Sequence, residues 1–160
     1  MDISPSRWRV EPWKNGGGST SVVLRMPDSD PYILRISVAE VTASGPFSVF
    51  PGYRRYTTLL EGGPISLEVA GVVRPLARGS LLELDGEVAV VAHVEAPARL
   101  LNVLVRASDQ PTNPIGVGYG ETERASIVFA VEATGDLARW HTRVAHAPIH
   151  VTGDVVWISL

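Results

Sequence analysis

The sequence predicts an all-β protein, a sandwich or barrel of short strands. Three observations carry that prediction. Stretch after stretch alternates with period two, as in Ile65, Leu67 and Val69 against Ser66, Glu68 and Ala70, the signature of half-buried strands. Glycine and proline, 15 and 12 of the 160 residues, cut these stretches into lengths typical of sandwiches and barrels. No helix-length window shows apolar residues at helical spacing.

In chain order, residues 7–10 form a short opening strand and residues 11–18 a loop, because three consecutive glycines hold no regular element cheaply. Residues 19–26 read as a strand, 27–31 as a turn and 32–41 as a strand with faces Tyr32, Leu34, Ile36, Val38 and Ile33, Arg35, Ser37, Ala39. Residues 45–69 are the centre of the chain. Phe47, Phe50 and Tyr53 stand among Pro46, Pro51 and Gly52, then come Arg54–Arg55, a strand from 56 to 60, the break Gly62–Gly63–Pro64 and the strand 65–69. A ring-rich, charged loop on a rigid β scaffold is a common form of binding site. Residues 72–76, 80–84, 88–95 and 99–106 continue as strands, with a hairpin-type turn at Asp85–Gly86. Residues 108–120 are rich in Pro, Gly and Asn and read as a linker or long loop. Strands at 125–132, 140–145, 149–151 and 155–160 complete the chain. The expected organisation is an N-terminal half, 1–106, with a shorter β half, 107–160, packed on it as one compact unit.

Composition excludes several classes. Hydrophobic residues make up 45%, enough for a sizeable core, and the net charge of −3 is spread along the chain. With no basic block, neither nucleic acid nor an anionic membrane is an expected partner. The absence of cysteine excludes disulfides, thiol catalysis and thiolate metal sites. The first residues lack the apolar core of a signal peptide, and no stretch approaches the ~20 apolar residues of a membrane span. A cytoplasmic protein is expected, with a homodimer left open.

Several ordered blocks resemble the HutD/Ves family: Val10–Glu11–Pro12–Trp13–Lys14–Asn15–Gly16–Gly17–Gly18, Arg35–Ile36–Ser37–Val38–Ala39, Gly45–Pro46–Phe47–Ser48, Phe50–Pro51–Gly52, Leu59–Leu60–Glu61–Gly62 and, more weakly, Leu101–Asn102–Val103. They span about the first two-thirds of the chain. The resemblance implies a cupin-like (RmlC-like) double β-barrel or jelly roll. It also implies a modulator linked with histidine utilisation or stress, and binding of a small acidic metabolite. The chain departs from the family at Leu34 (usually Trp), at Arg54 (usually Asp) and at Leu100 (usually Asp), and its C-terminal third is short. Two fewer acids and one more arginine make the expected pocket more positive.

The candidate ligand-binding residues are Lys14, Asn15, Gly17, Arg35, Ser37, Phe47, Phe50, Arg55 and Asn102. The glycine loop can aim backbone N–H groups at an anion beside Lys14, though its spacing is not that of a P-loop; the plain alternative is a flexible turn. Arg35 and Ser37 share one strand face. If that face is interior, Arg35 needs an anionic partner and its planar fork suits a carboxylate; otherwise it pairs with a surface acid. Arg55 reads likewise, with Arg54 solvated. Asn102 is a polar group in a lumen or is satisfied by nearby backbone. Phe47 and Phe50 wall a pocket or pack as core. In the pocket reading Arg35 sets charge preference and Asn102 orients the ligand.

Many cupins hold a metal with histidines and a glutamate, but no histidine lies between Gly45 and Gly63. His93 stands alone, and of the three C-terminal histidines only His146 and His150 share strand parity, with Pro148 between them. No metal or other cofactor is expected. There is no nucleophile elbow; His93 beside Glu95 is the one base-and-helper pair a metal-free isomerase would use. The leading reading is a metal-free carboxylate-binding modulator, with a metal-free isomerase or a side-chain-filled barrel as alternatives.

Overall fold

The computed structural model describes residues 1–109, 115–118, 120–121 and 126–159. Its strands are β1 (Asp2–Ile3), β2 (Arg9–Pro12), β3 (Gly18–Met26), β4 (Leu34–Val41), β5 (Gly45–Pro46), β6 (Tyr53–Gly62), β7 (Ile65–Val69), β8 (Val72–Pro75), β9 (Leu82–Asp85), β10 (Val90–Val94), β11 (Ala98–Arg106), β12 (Ile115–Val117), β13 (Gly120–Glu121), β14 (Ser126–Ala130), β15 (Thr142–Ala145), β16 (His150–Val151) and β17 (Val155–Ser159). Among the described residues, helix is confined to two 3-10 turns, Pro5–Arg7 and Ala107–Asp109. The all-β prediction holds.

The chain forms two units. One comprises residues 9–109; the other joins residues 1–8 to 110–160. This corrects the simple cut expected after residue 106. The N-terminal segment pairs with the far end of the chain, through Asp2 opposite Arg143 and Ile3 opposite Thr142. The Met1 ammonium also donates to the Val144 carbonyl at 2.9 Å. Trp8 stacks on Phe129 and Trp140, with centroids 6.3 and 6.2 Å away.

In the 9–109 unit, a six-stranded antiparallel sheet runs β2-β3-β4-β11-β6-β9, and a four-stranded one runs β5-β10-β7-β8. Register explains the site. Leu104, Asn102 and Leu100 on β11 face Arg35, Ser37 and Ala39 on β4 and Arg55, Thr57 and Leu59 on β6. These nine side chains share one face of the sheet. Along β4 and β6 they run from polar to apolar, and on β11 the polar residue, Asn102, stands between Leu104 and Leu100. At the apolar end Ala39 and Leu100 join Val41, Ile65, Leu67, Leu84 and Ala92 in a buried core, where each fully buried leucine contributes roughly 1.5–3 kcal/mol. The barrel is therefore filled at one end, and polar residues line the other.

Three local expectations change. Glu11 and Pro12 are strand rather than loop, opposite Thr20 and Ser19. Tyr32 and Ile33 precede the strand, since Ile33 N–H closes the turn onto the Met26 carbonyl at 2.7 Å. Asp85–Gly86 is a corner rather than a hairpin: β9 pairs with β6, whereas β10 pairs with β7 and β5. Gly86 N–H donates to Tyr53 O at 2.8 Å, and a Cβ there would lie 2.3 Å from Phe50 O. That close approach turns the chain from one sheet to the other. Of the expected 108–120 linker, residues 110–114 and 119 lie outside the described residues, as do Ala125 and Leu160 of the expected last strands; 115–117 and 120–121 are strand.

Candidate functional site

A cavity of about 560 Å³ opens in the 9–109 unit at the polar end of the six-stranded sheet. Its floor is Arg35, Ser37, Asn102, Leu104 and Arg55, placed together by the register above. Trp13, Pro46, Phe47 and Phe50 wall it, and Glu11, Lys14 and Asn15 lie at its rim. Trp13 stands edge-on to Phe47, with ring centroids 5.8 Å apart at 75°, and its Nε1 donates to Thr20 Oγ1 at 2.8 Å. Both contacts hold the indole upright as a wall.

The electrostatics centre on two arginines. Arg55 is 5% exposed. It donates from Nη2 to the Ser48 carbonyl at 2.6 Å, and its Cζ lies 5.1 Å from the Phe50 ring centroid and 5.7 Å from that of Phe47. Such cation–π contacts stabilise a desolvated guanidinium but do not neutralise it. Burial, reinforced by the positive charge of Arg35, lowers its pKa to about 10. Arg35 Cζ lies 6.0 Å from the Phe50 ring centroid, and its Nη2 is 3.4 Å from Glu11 Oε2. Beside them Asn102 Oδ1 is buried with no hydrogen-bond partner among the described residues, as is Thr57 Oγ1. A buried acceptor without a donor is costly, and a buried charge without a counter-charge more so.

Eight of the nine sequence-derived candidates line this cavity: Lys14, Asn15, Arg35, Ser37, Phe47, Phe50, Arg55 and Asn102. Gly17 does not. Its N–H donates to Asn15 Oδ1 at 3.0 Å, and its carbonyl accepts from Thr42 N–H at 3.0 Å; Gly16 N–H donates to Trp13 O at 3.1 Å. The loop amides close the turn on itself, so they do not converge on an anion. The extra arginine at 54 is also outside the cavity. It pairs with Glu83 and, at 3.7 Å, with Asp85. Leu100 is fully buried in the apolar core.

Glu11, Trp13, Thr20 and Ser48 escaped the sequence reading. Thr20 sits opposite Ala39, on the Arg35 and Ser37 face, which only the register reveals. Reading residues 11 and 12 as strand places Glu11 and Trp13 at one parity and finds both.

Toward a metal, the cavity lining offers one carboxylate, Glu11, and no imidazole, which does not fit a histidine-rich cupin centre. No group of three or more metal-ligating side chains occurs among the described residues. His93 Nε2 lies 2.8 Å from Glu68 Oε2 on the neighbouring strand, a cross-strand contact where the isomerase alternative would pair it with Glu95.

A family model described as HutD matches residues 6–113, more than half of the chain. An uncharacterized 21.2 kDa protein in the hutC 3′ region of Pseudomonas putida is 40% identical over 79 residues, 48% of this chain and 42% of that protein; the match spans less than half of that relative's length. HutD from Pseudomonas fluorescens SBW25 superposes with a TM-score of 0.80 at 24% identity, covering 99% of this chain and 96% of that one. A conserved protein of unknown function from Pseudomonas aeruginosa PAO1 gives 0.78 at 25% identity, covering 98% and 90%. A cupin 2 conserved barrel domain protein from Leptotrichia buccalis gives 0.56 at 9% identity, covering 88% of each. The fold is all-β and cupin-like (RmlC-like), and with the residue 6–113 match the chain belongs to the HutD family.

Proposed function

We propose that this chain binds a small carboxylate in the cavity of the 9–109 unit and acts as a modulator in histidine utilisation rather than as a pathway enzyme. The observation that carries the reading is Arg55: a buried guanidinium on the floor of a cavity, with no carboxylate against it among the described residues. A ligand carboxylate supplies the missing counter-charge, and a planar two-oxygen acceptor matches the arginine fork. Asn102 Oδ1 and the aromatic walls fit the usual form of a small-molecule site, apolar with a few fixed polar groups. The hutC-region name of the Pseudomonas putida relative supports the link with histidine utilisation. The anion seat in this reading is Arg55, with Arg35 as its neighbour.

The test is calorimetry with small mono- and dicarboxylates, including glutamate- and imidazole-derived acids, against amines and neutral sugars. Acids bind saturably and the others do not, and Arg55→Gln loses binding by about 2–5 kcal/mol. Bound acids are recovered unchanged. Turnover of an acid would instead establish the isomerase alternative, and no acid binding at all would leave a cavity without this role.

A further inference from the structure

The cavity rim carries one carboxylate of the protein's own. Glu11 Oε2 lies 3.4 Å from Arg35 Nη2, and the two side chains differ sharply in exposure, 60% for Glu11 and 14% for Arg35. β2, which carries Glu11, is an edge strand, exposed along its whole length. Arg35 stands on the second strand inward, β4. The pair therefore joins an acid that rehydrates readily to a base fixed in the floor. Pairs with one solvated partner are weak and exchangeable. A ligand carboxylate that reaches Arg35 meets the Glu11 carboxylate already beside it and must either displace it or share the guanidinium with a like charge. One that reaches Arg55 displaces no protein carboxylate, only sharing the guanidinium with the Ser48 carbonyl.

We propose that Glu11 is a specificity-determining residue of this cavity: as an internal carboxylate on Arg35 it disfavours dicarboxylates and leaves Arg55 to take a monocarboxylate. The inference rests on the carboxylate reading above and names the class within it. Lys14, exposed at the same rim, makes no ion pair with Glu11 among the described residues, so it leaves the Glu11 carboxylate on Arg35.

Propionate and succinate make the test, since succinate adds a second carboxylate to a similar chain. Each is titrated calorimetrically into wild type, Glu11→Gln, Arg35→Gln and the double variant. Glu11→Gln tightens succinate roughly fivefold and propionate less than about twofold, and the succinate gain disappears when Arg35→Gln is also present. Equal shifts for both acids, no shift, or a gain that survives Arg35→Gln would overturn the role of Glu11 while the carboxylate site stands. Absence of saturable binding by any carboxylate to wild type and Glu11→Gln alike would overturn the carboxylate reading itself. Because Glu11 is exposed, the variant folds as wild type does, and matched thermal midpoints verify it.

Discussion

The Arg55 guanidinium donates to the Ser48 carbonyl at 2.6 Å, which fastens the aromatic loop to the strand beneath it. The same guanidinium faces Phe50 and Phe47 and forms part of the cavity floor. The proposed anion seat and the loop clip are thus one residue. A ligand that draws the guanidinium toward itself also alters the hold on the loop that walls the site.

If Arg55 is the anion seat proposed above, it trades stability for binding. Burial first and Arg35 second lower its pKa to about 10. Because its folded value lies below the ordinary one, the protonated form is disfavoured by folding, and the penalty is present in full at neutral pH. It is relieved only as pH rises from about 10 toward the ordinary arginine range. Its size is on the order of 3 kcal/mol, an upper figure, since the bond to Ser48 offsets part of it. Arg55→Met should therefore leave the thermal midpoint unchanged or raise it, as replacement of buried charges by apolar groups often does, while acid binding is lost. Scanning calorimetry and titration check both. A midpoint several degrees lower would show that the clip outweighs the desolvation.

Asn102 makes a separate prediction. Its Oδ1 is a buried acceptor with no donor against it among the described residues, so a ligand bearing an N–H or O–H donor gains a bond that one without it lacks. Asn102→Leu removes the orphaned acceptor and should not lower stability by more than about 1 kcal/mol. It should weaken lactate binding roughly tenfold and propionate binding far less. Equal losses for the two acids would mean that Asn102 shapes the cavity without bonding the ligand.

Much of this was legible in the sequence, for a physical reason. Period-two alternation reports which side of a strand is buried, so spacing alone sets Arg35 beside Ser37 along one strand and Asn102 beside Leu104 along another. Alternation does not report which strands are neighbours. The Arg35–Glu11 pair spans 24 positions, and the indole of Trp13 is held through Thr20 on the strand that follows its turn. Both follow from pairing register, which the sequence does not encode locally. Arg54 and Arg55 are adjacent letters, with Arg54 expected to be solvated; β6, beginning at Tyr53, sets them on opposite faces, one against Glu83 at the surface and the other on a cavity. The glycine loop misled because glycines permit converging amides without requiring them, and Asn15 Oδ1 takes the Gly17 N–H instead. The Asp85–Gly86 corner misled because the local signal for a hairpin and for a sheet-to-sheet corner is the same.

Acid should weaken the unit of residues 1–8 and 110–160 through one arginine. Arg143 grips Asp2 with two bonds, Nε to Oδ1 at 2.9 Å and Nη2 to Oδ2 at 2.7 Å, and holds Asp136 with Nη1 to Oδ1 at 2.9 Å and Nη2 to Oδ2 at 3.1 Å. Hydrogen bonds from Arg143 are the leading cause that lowers both carboxylates below their ordinary value of 3.8. A carboxyl group with a depressed folded pKa contributes stability that is complete above its ordinary pKa and is lost as pH falls through the folded value. Wild type should therefore lose stability below about pH 4 more steeply than Arg143→Gln, in which Asp2 and Asp136 keep ordinary affinities for protons. At neutral pH the variant should be the less stable of the two, by a small margin that salt reduces, because the aspartates are largely solvated. Urea midpoints measured across the acid range check this. The two curves should be separate at neutral pH and converge in acid. A constant offset at every pH would mean that Arg143 stabilises the unit by packing alone, with its carboxylate pairs contributing nothing.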